Sequence, residues 1–201
     1  MSQELDTVRT IKGWDEDTGG SSSDKVPSKI QYIPDEGPIW GYAAEDGAST
    51  FTWFKLMLDY EELPPNIKNS VRVREIYNKL ANRCPRSEDL DYRDQAAIQA
   101  AMQVTRDYLE LLWNHALTVI LNGYSQSWAL GMHCKVNITK PAIWSQKASA
   151  RTQKVAEDAI LPNAQDFESV TISLVSEPEA AAYAVLQAPS VTKRPDLTHV
   201  S

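Results

Sequence analysis

The sequence predicts an α/β fold, with parallel strands in its C-terminal half and a long amphipathic helix packed beside them. Three observations predict it. The apolar, β-branched stretches 133–140 and 170–176 are separated by a Lys/Arg/Ala-rich helical pattern over 145–159 and followed by a second helical stretch over 178–186. Strand, helix, strand, helix in succession brings the strands side by side in parallel, across the intervening helix. Residues 94–122 carry apolar side chains at the 3.6-residue period of one helix face. Nearer the N-terminus, VPSKIQYI (26–33) alternates apolar and polar residues as a half-buried strand does.

In chain order, GWDEDTGGSSSDK (13–25) is polar and rich in Gly and Ser, so residues 1–25 read as a flexible N-terminal segment. The strand over 26–33 closes at the turn Pro34–Gly37, and PIWGYAAEDG reads as a short second strand ending at Asp46-Gly47. Ser49 to Leu58 suits a short helix with Phe51, Phe54 and Leu58 on one face and Lys55 beside them. Pro64-Pro65 breaks the chain, and 66–80 suits a helix with Ile67, Val71 and Ile76 inward. Along the long helix Ile98, Met102, Thr105, Leu109, Leu112, Ala116 and Val119 share a face, and Gly123 is a C-cap signal. The strand over 133–140 is stopped by Pro141, and LPNAQDF (161–167) reads as a loop. The folded part spans 26–187. The tail 188–201, polar and Pro-containing, has no means of burying itself and is expected to be disordered.

Composition excludes several functions. Of 201 residues 42% are hydrophobic, enough for a core, and the formal charge is −7. No Lys/Arg patch dominates, which argues against nucleic acid and anionic membrane surfaces as partners. The start, MSQELDTVRT, has no apolar secretory core, and no apolar run reaches membrane-spanning length. Cys84 and Cys134 make no metal-ligand spacing with His115, His133 or His199, and read as reduced core thiols of a cytoplasmic protein. His115 reads as a packed or surface histidine, since no second ligand type lies one helical turn away.

The step SLVSEPEAAAYAV (173–185) is the most informative local feature. Proline disfavours the helical region for the residue before it, so Glu177 is expected to stay extended at the end of the strand. Pro178 is tolerated in a first helical turn, Ser176 and Glu179 have capping-box spacing, and the alanines let the helix lie close on a sheet. In α/β sheets ligands bind outside the carboxyl ends of strands. A carboxylate there can orient a water or stand in the outer shell of a metal ion. Both readings of Glu177, helix cap and ligand group, remain open on the residues alone.

VSEPEAAAYAVL resembles the strand-to-helix turn of the heat shock protein 70 family, whose ATPase domain has the actin-like, ribonuclease H-like fold. It has company in the right order. VNITKPAIWSQKASARTQKVAEDA (136–159) resembles the family's strand, Pro-Ala-aromatic turn and basic helix. DKVPSKIQY, IWGYAAEDG and TWFKLML resemble its early strand, Gly-Ala turn and lysine-bearing helix. The tryptophan-rich versions look closest to divergent heat shock 70-like proteins of fungi, and the resemblance covers residues 24–187. It implies a partial ribonuclease H-like lobe of a nucleotide-binding domain and, for the complete domain, ATP and Mg²⁺.

The resemblance also implies roles. Glu177 maps to the carboxylate near the magnesium and the hydrolytic water, and is thus both catalytic and cofactor-binding. Lys55 maps to the lysine that reaches the γ-phosphate, and Pro141 to an allosteric switch proline. From the residues alone Lys55 is a surface lysine and Pro141 a strand terminator. The arginine that partners the switch proline in the family is replaced by Ser149, with Arg151 nearby. Neither the Asp-x-Gly-Thr-Thr hairpin nor the Asp-Gly-Gly-Gly-Thr hairpin that cradles phosphate in the family occurs in the sequence. The chain is therefore expected to be a truncated chaperone-type lobe that does not hydrolyse ATP by itself, partnered by the missing second lobe or by another protein. The alternative is a non-catalytic interaction scaffold presenting the long helix around Leu109.

Overall fold

The computed structural model describes residues 10–14, 25–83, 89–124 and 126–187. Most of the expected flexible segment 1–25, the tail 188–201 and Cys84 lie outside the described residues. Strand β1 (Lys29–Ile33) pairs antiparallel with β2 (Gly37–Trp40) through the turn at 34–36, and on its other edge with β3 (Thr50–Thr52). The second strand ends at Trp40 rather than Gly47, because Gly41 turns the chain with φ 65. A Cβ at Gly41 would stand 2.7 Å from Val26 Cγ2, so the turn requires glycine there.

The helix expected over 49–58 is split. Thr50-Phe51-Thr52, two β-branched residues around an aromatic, takes the free edge of β1 with Phe51 opposite Ile30. Trp53, with φ 61, then turns the chain into a 3-10 segment over Phe54–Glu62, kinked at Asp59 (φ −118, ψ 27). Phe51, Phe54 and Leu58 still reach one core, from a strand and a helix rather than one helical face.

The helix expected over 66–80 is two: α1 (Pro65–Lys68) and α2 (Val71–Ala81). Ser70 is extended (φ −64, ψ 147) and its Oγ accepts from Val73 N at 3.4 Å, so a fresh helix starts with a shifted phase. Val73, Ile76 and Leu80 are therefore inward, while Ile67 and Val71 are exposed. Helix α3 (Leu90–Gly123) begins earlier than the apolar period shows, because Asp89 Oδ1 caps the amides of Asp91 and Tyr92. Gly123 is its last residue, and Tyr124 ends it in an extended conformation (φ −136) rather than through a left-handed glycine.

After the short α4 (Gln126–Ala129) come β4 (His133–Lys140), α5 (Gln146–Ile160), β5 (Ser169–Ser176) and α6 (Glu177–Gln187). The two strands are parallel in register from His133↔Ser169 to Lys140↔Ser176, with α5 as the crossover. A mixed α/β architecture with a long helix beside the strands is thus present. Helix α3 is shared by two cores. Its first half packs with β1, β3, the 3-10 helix and α2, and Trp113 packs with Ala156, Ala159 and Ile160 over the inner face of β4 and β5. Lys135, Asn137 and Thr139 are exposed on the other face of β4. Among the described residues β4 and β5 pair only with each other.

Candidate functional site

A cavity of 360 Å³ opens at the carboxyl ends of β4 and β5, lined by Ser28, Trp53, Lys55, Pro141, Trp144 and Glu177 among others. Lys55, Pro141 and Glu177 are the three site residues named from the sequence, and the fold brings them to one wall. Lys55 comes from the 3-10 helix; its Nζ donates to Thr139 O at 3.2 Å and lies 3.7 Å from Glu177 Oε1. It also stands 5.5 Å from the centre of the Trp144 ring, within cation–π range.

The turn that carries Pro141 and Trp144 is held from below. Trp144 N donates to Pro141 O at 3.3 Å. Ser145 caps α5 through its Oγ, which accepts from Ala148 N at 3.1 Å. The same hydroxyl donates to Asp59 Oδ1 at 2.5 Å, and Ser145 N donates to Asp59 Oδ2 at 3.2 Å. Asp59 is buried, so this carboxylate fixes the Pro141–Ser145 turn to the helix that carries Lys55.

Glu177 is not extended, as the proline after it had suggested. Helix α6 starts at Glu177, because Ser176 acts as the cap, its Oγ accepting from Glu179 N at 3.3 Å. With the cap one residue earlier, Glu177 and Pro178 both fall in the first turn, where proline loses no helical hydrogen bond. The alanines do not lie on the sheet. Ala181, Ala182 and Ala184 are exposed and only Ala180 is half-buried, since α6 touches only the ends of the strands. The side chains of Lys55 and Glu177 are 43% and 55% exposed, which makes their ion pair weak as a structural bond and open to solvent and ligand.

Lys55 also borders a second cavity of 490 Å³, between α3 and β4. Its walls include Phe54, Leu58, Tyr108, Leu109, Leu112 and Ile138. Leu109, around which a partner-facing surface of the long helix was expected, is half-buried, and with Leu112 it turns into this cavity and the cores.

Neither Ser149 nor Arg151 serves Pro141. Ser149 Oγ donates to Ser145 O at 2.9 Å within its own helix. Arg151 donates to Leu58 O at 2.8 Å and to Glu61 Oε2 at 3.0 Å. Burial alone would push the Glu61 carboxyl up. Hydrogen bonds from Gln95 and Arg151, with the charges of Arg151 and Lys147, outweigh it and hold the group below the usual carboxylate range.

Of the histidines, His115 and His133 are described, and each contacts neighbouring side chains. His115 stacks on Trp14 with centroids 4.6 Å apart and meets the edge of Trp40. His133 Nδ1 and Ser169 Oγ, 2.7 Å apart, join the first residues of the two strands. Cys134 is a free, half-buried thiol, pushed up by burial. Among the described residues no group of three His, Cys, Asp or Glu side chains is placed to hold a metal ion. The residues present supply one cation and one carboxylate. They fit one edge of a metal–phosphate site, not a whole one.

Trp144, Thr139 and Trp53 belong to the site but carried no role in the sequence. KPAIW contains Trp144 in plain view; its place beneath Lys55 depends on how the turn folds back. No family model, curated protein or solved structure matches the chain.

Proposed function

We propose that the chain is a partial heat shock 70-like ATPase lobe, of ribonuclease H-like type, contributing one side of a nucleotide phosphate site. One observation carries the reading. Lys55, Pro141 and Glu177 were selected by motif from three distant segments, and they line one cavity beyond the carboxyl ends of two parallel strands. That is where α/β sheets bind ligands. Lys55 takes the charge of a terminal phosphate, with Trp144 and the carbonyl of Thr139 fixing its amine. Glu177, 3.7 Å away, orients a water or a hydrated cation beside it. Mg²⁺, when bound with ATP, neutralises the phosphate oxygens. Pro141 forms the rim at which a second lobe docks. The sequence has no glycine hairpin to surround a phosphate with backbone amides, so the chain alone binds ATP weakly and does not turn it over.

Steady-state ATPase measurement on the purified chain tests this. The expected result is no turnover above the protein-free blank, with or without Mg²⁺. Turnover abolished by Lys55→Ala would overturn it, since it would mean that the site is complete in this chain.

A second reading, a scaffold for another protein, is favoured by exposed apolar side chains. Ile143 is 93% exposed, and Tyr183 and Leu186 of α6 are 58% and 67% exposed. It predicts that Ile143→Lys changes association measured by sedimentation while ATP makes no difference. Association that ATP does alter, or that Ile143→Lys leaves unchanged, would count against it.

A further inference from the structure

The chain carries a formal charge of −7, yet one cavity gathers positive charge. It measures 450 Å³ and is lined by Lys68, Arg74 from α2 and Arg93 from α3, with Asp94 as its one acid. Asp94 Oδ1 accepts from Tyr77 OH at 2.8 Å. Lys68 Nζ donates to Glu61 O at 2.9 Å and lies 5.0 Å from the centre of the Tyr60 ring. Arg93 lies 5.9 Å from the Tyr77 ring. Among the described residues, neither Arg74 nor Arg93 has a carboxylate partner for its guanidinium. The tyrosines stack on each other, centroids 5.0 Å apart and 25° between planes, and form a rigid aromatic wall. Asn69 and Asn78 add amide donors at the edge, and Leu90 is an exposed apolar lip.

Two guanidiniums with no carboxylate partner among the described residues, beside a pair of tyrosines, match an oxyanion carried next to an apolar or aromatic group. Guanidinium binds carboxylate and phosphate in a bidentate manner, and Arg clusters are a recurrent means of recognising acidic and phosphorylated peptides. A long polyanion is disfavoured, since the rest of the acidic chain repels it. We propose that this cavity binds a short acidic peptide segment. Its carboxylate or phosphate sits on Arg74 and Arg93, and the neighbouring side chain rests against Leu90 and the ring edges of Tyr60 and Tyr77. The site is separate from the one at Lys55 and stands independently of the nucleotide reading.

The test is fluorescence anisotropy with the full chain and labelled peptides whose centre is Glu-Tyr-Glu, its phosphoserine counterpart, or the neutral Gln-Tyr-Gln. Binding of an acidic peptide at least roughly tenfold tighter than the neutral one is expected, with the carboxylate and phosphate versions showing which oxyanion is preferred. Arg74→Gln, on an exposed helix face, should weaken binding several-fold without unfolding the chain. Arg74→Glu with Arg93→Glu should transfer preference to Lys-Tyr-Lys. The proposal fails if no acidic peptide binds or if the neutral peptide binds equally. It also fails if Arg74→Gln has no effect, or if a single-stranded oligonucleotide binds tighter than either acidic peptide.

Discussion

Trp53 holds a left-handed backbone, φ 61, that a bulky side chain rarely adopts, and half of its indole stays exposed. Such conformations persist where the surroundings over-determine them. Here Trp53 makes the corner between β3 and the segment Phe54–Glu62. Trp53→Ala is therefore expected to be less stable than Trp53→Gly by about 1 kcal/mol in urea unfolding, because both lose the ring but only glycine loses the strain. Gly41→Ala is expected to cost about 2 kcal/mol, from its left-handed φ and the close Val26 methyl. The Lys55–Glu177 pair behaves differently. It is exposed, so a double-mutant cycle should return a coupling below about 1 kcal/mol, and Lys55→Ala should unfold at nearly the parent denaturant concentration. At this scale the ordered motifs made Lys55, Pro141 and Glu177 legible. Asp59 was not, because nothing in LMLDYEE distinguishes a carboxylate that is buried on a distant helix cap from its exposed neighbours.

At the scale of elements, the contact between the 3-10 helix and α5 sets the site. Asp59 binds the cap of α5 across 86 positions of sequence, and Arg151 of α5 returns to Leu58 O and Glu61. Asp59→Ala is expected to cost about 2 kcal/mol, since the Ser145 amide and hydroxyl lose their acceptor. Glu61 adds a pH dependence whose sign follows from its lowered pKa. An acid held below its unfolded value of about 4.3 contributes stability that is full above that pH and lost as pH falls through the folded value. Stability of the parent chain should thus fall more steeply below about pH 4.3 than that of Glu61→Gln, read from denaturant midpoints across the acid range. The long helix, α5 and both parallel strands were legible because each has a period that lasts many residues. The segments 49–58 and 66–80 were not, because their outcome turns on single residues. Thr50–Thr52 finds an open strand edge, and Ser70 restarts a helix in a new phase.

For the whole molecule, the notable fact is that among the described residues the parallel sheet has two strands, whose outer face shows Lys135, Asn137 and Thr139 to solvent. Parallel strands are normally covered on both faces, and two strands alone are marginal. Amides of β4 and β5 should therefore exchange with deuterium faster than those of the middle of α3, which is buried by both cores. The α/β alternation in the sequence carries no measure of how many strands the sheet holds. The site itself is tested most directly by amide chemical shifts of the isotope-labelled chain titrated with Mg·ATP. A one-sided phosphate site predicts weak binding, saturating only at ~1 mM or above, with shifts confined to the amides around Ser28, Lys55, Thr139 to Trp144 and Glu177 and lost in Lys55→Ala. Shifts centred elsewhere on the molecule, or the same shifts in Lys55→Ala, would contradict it.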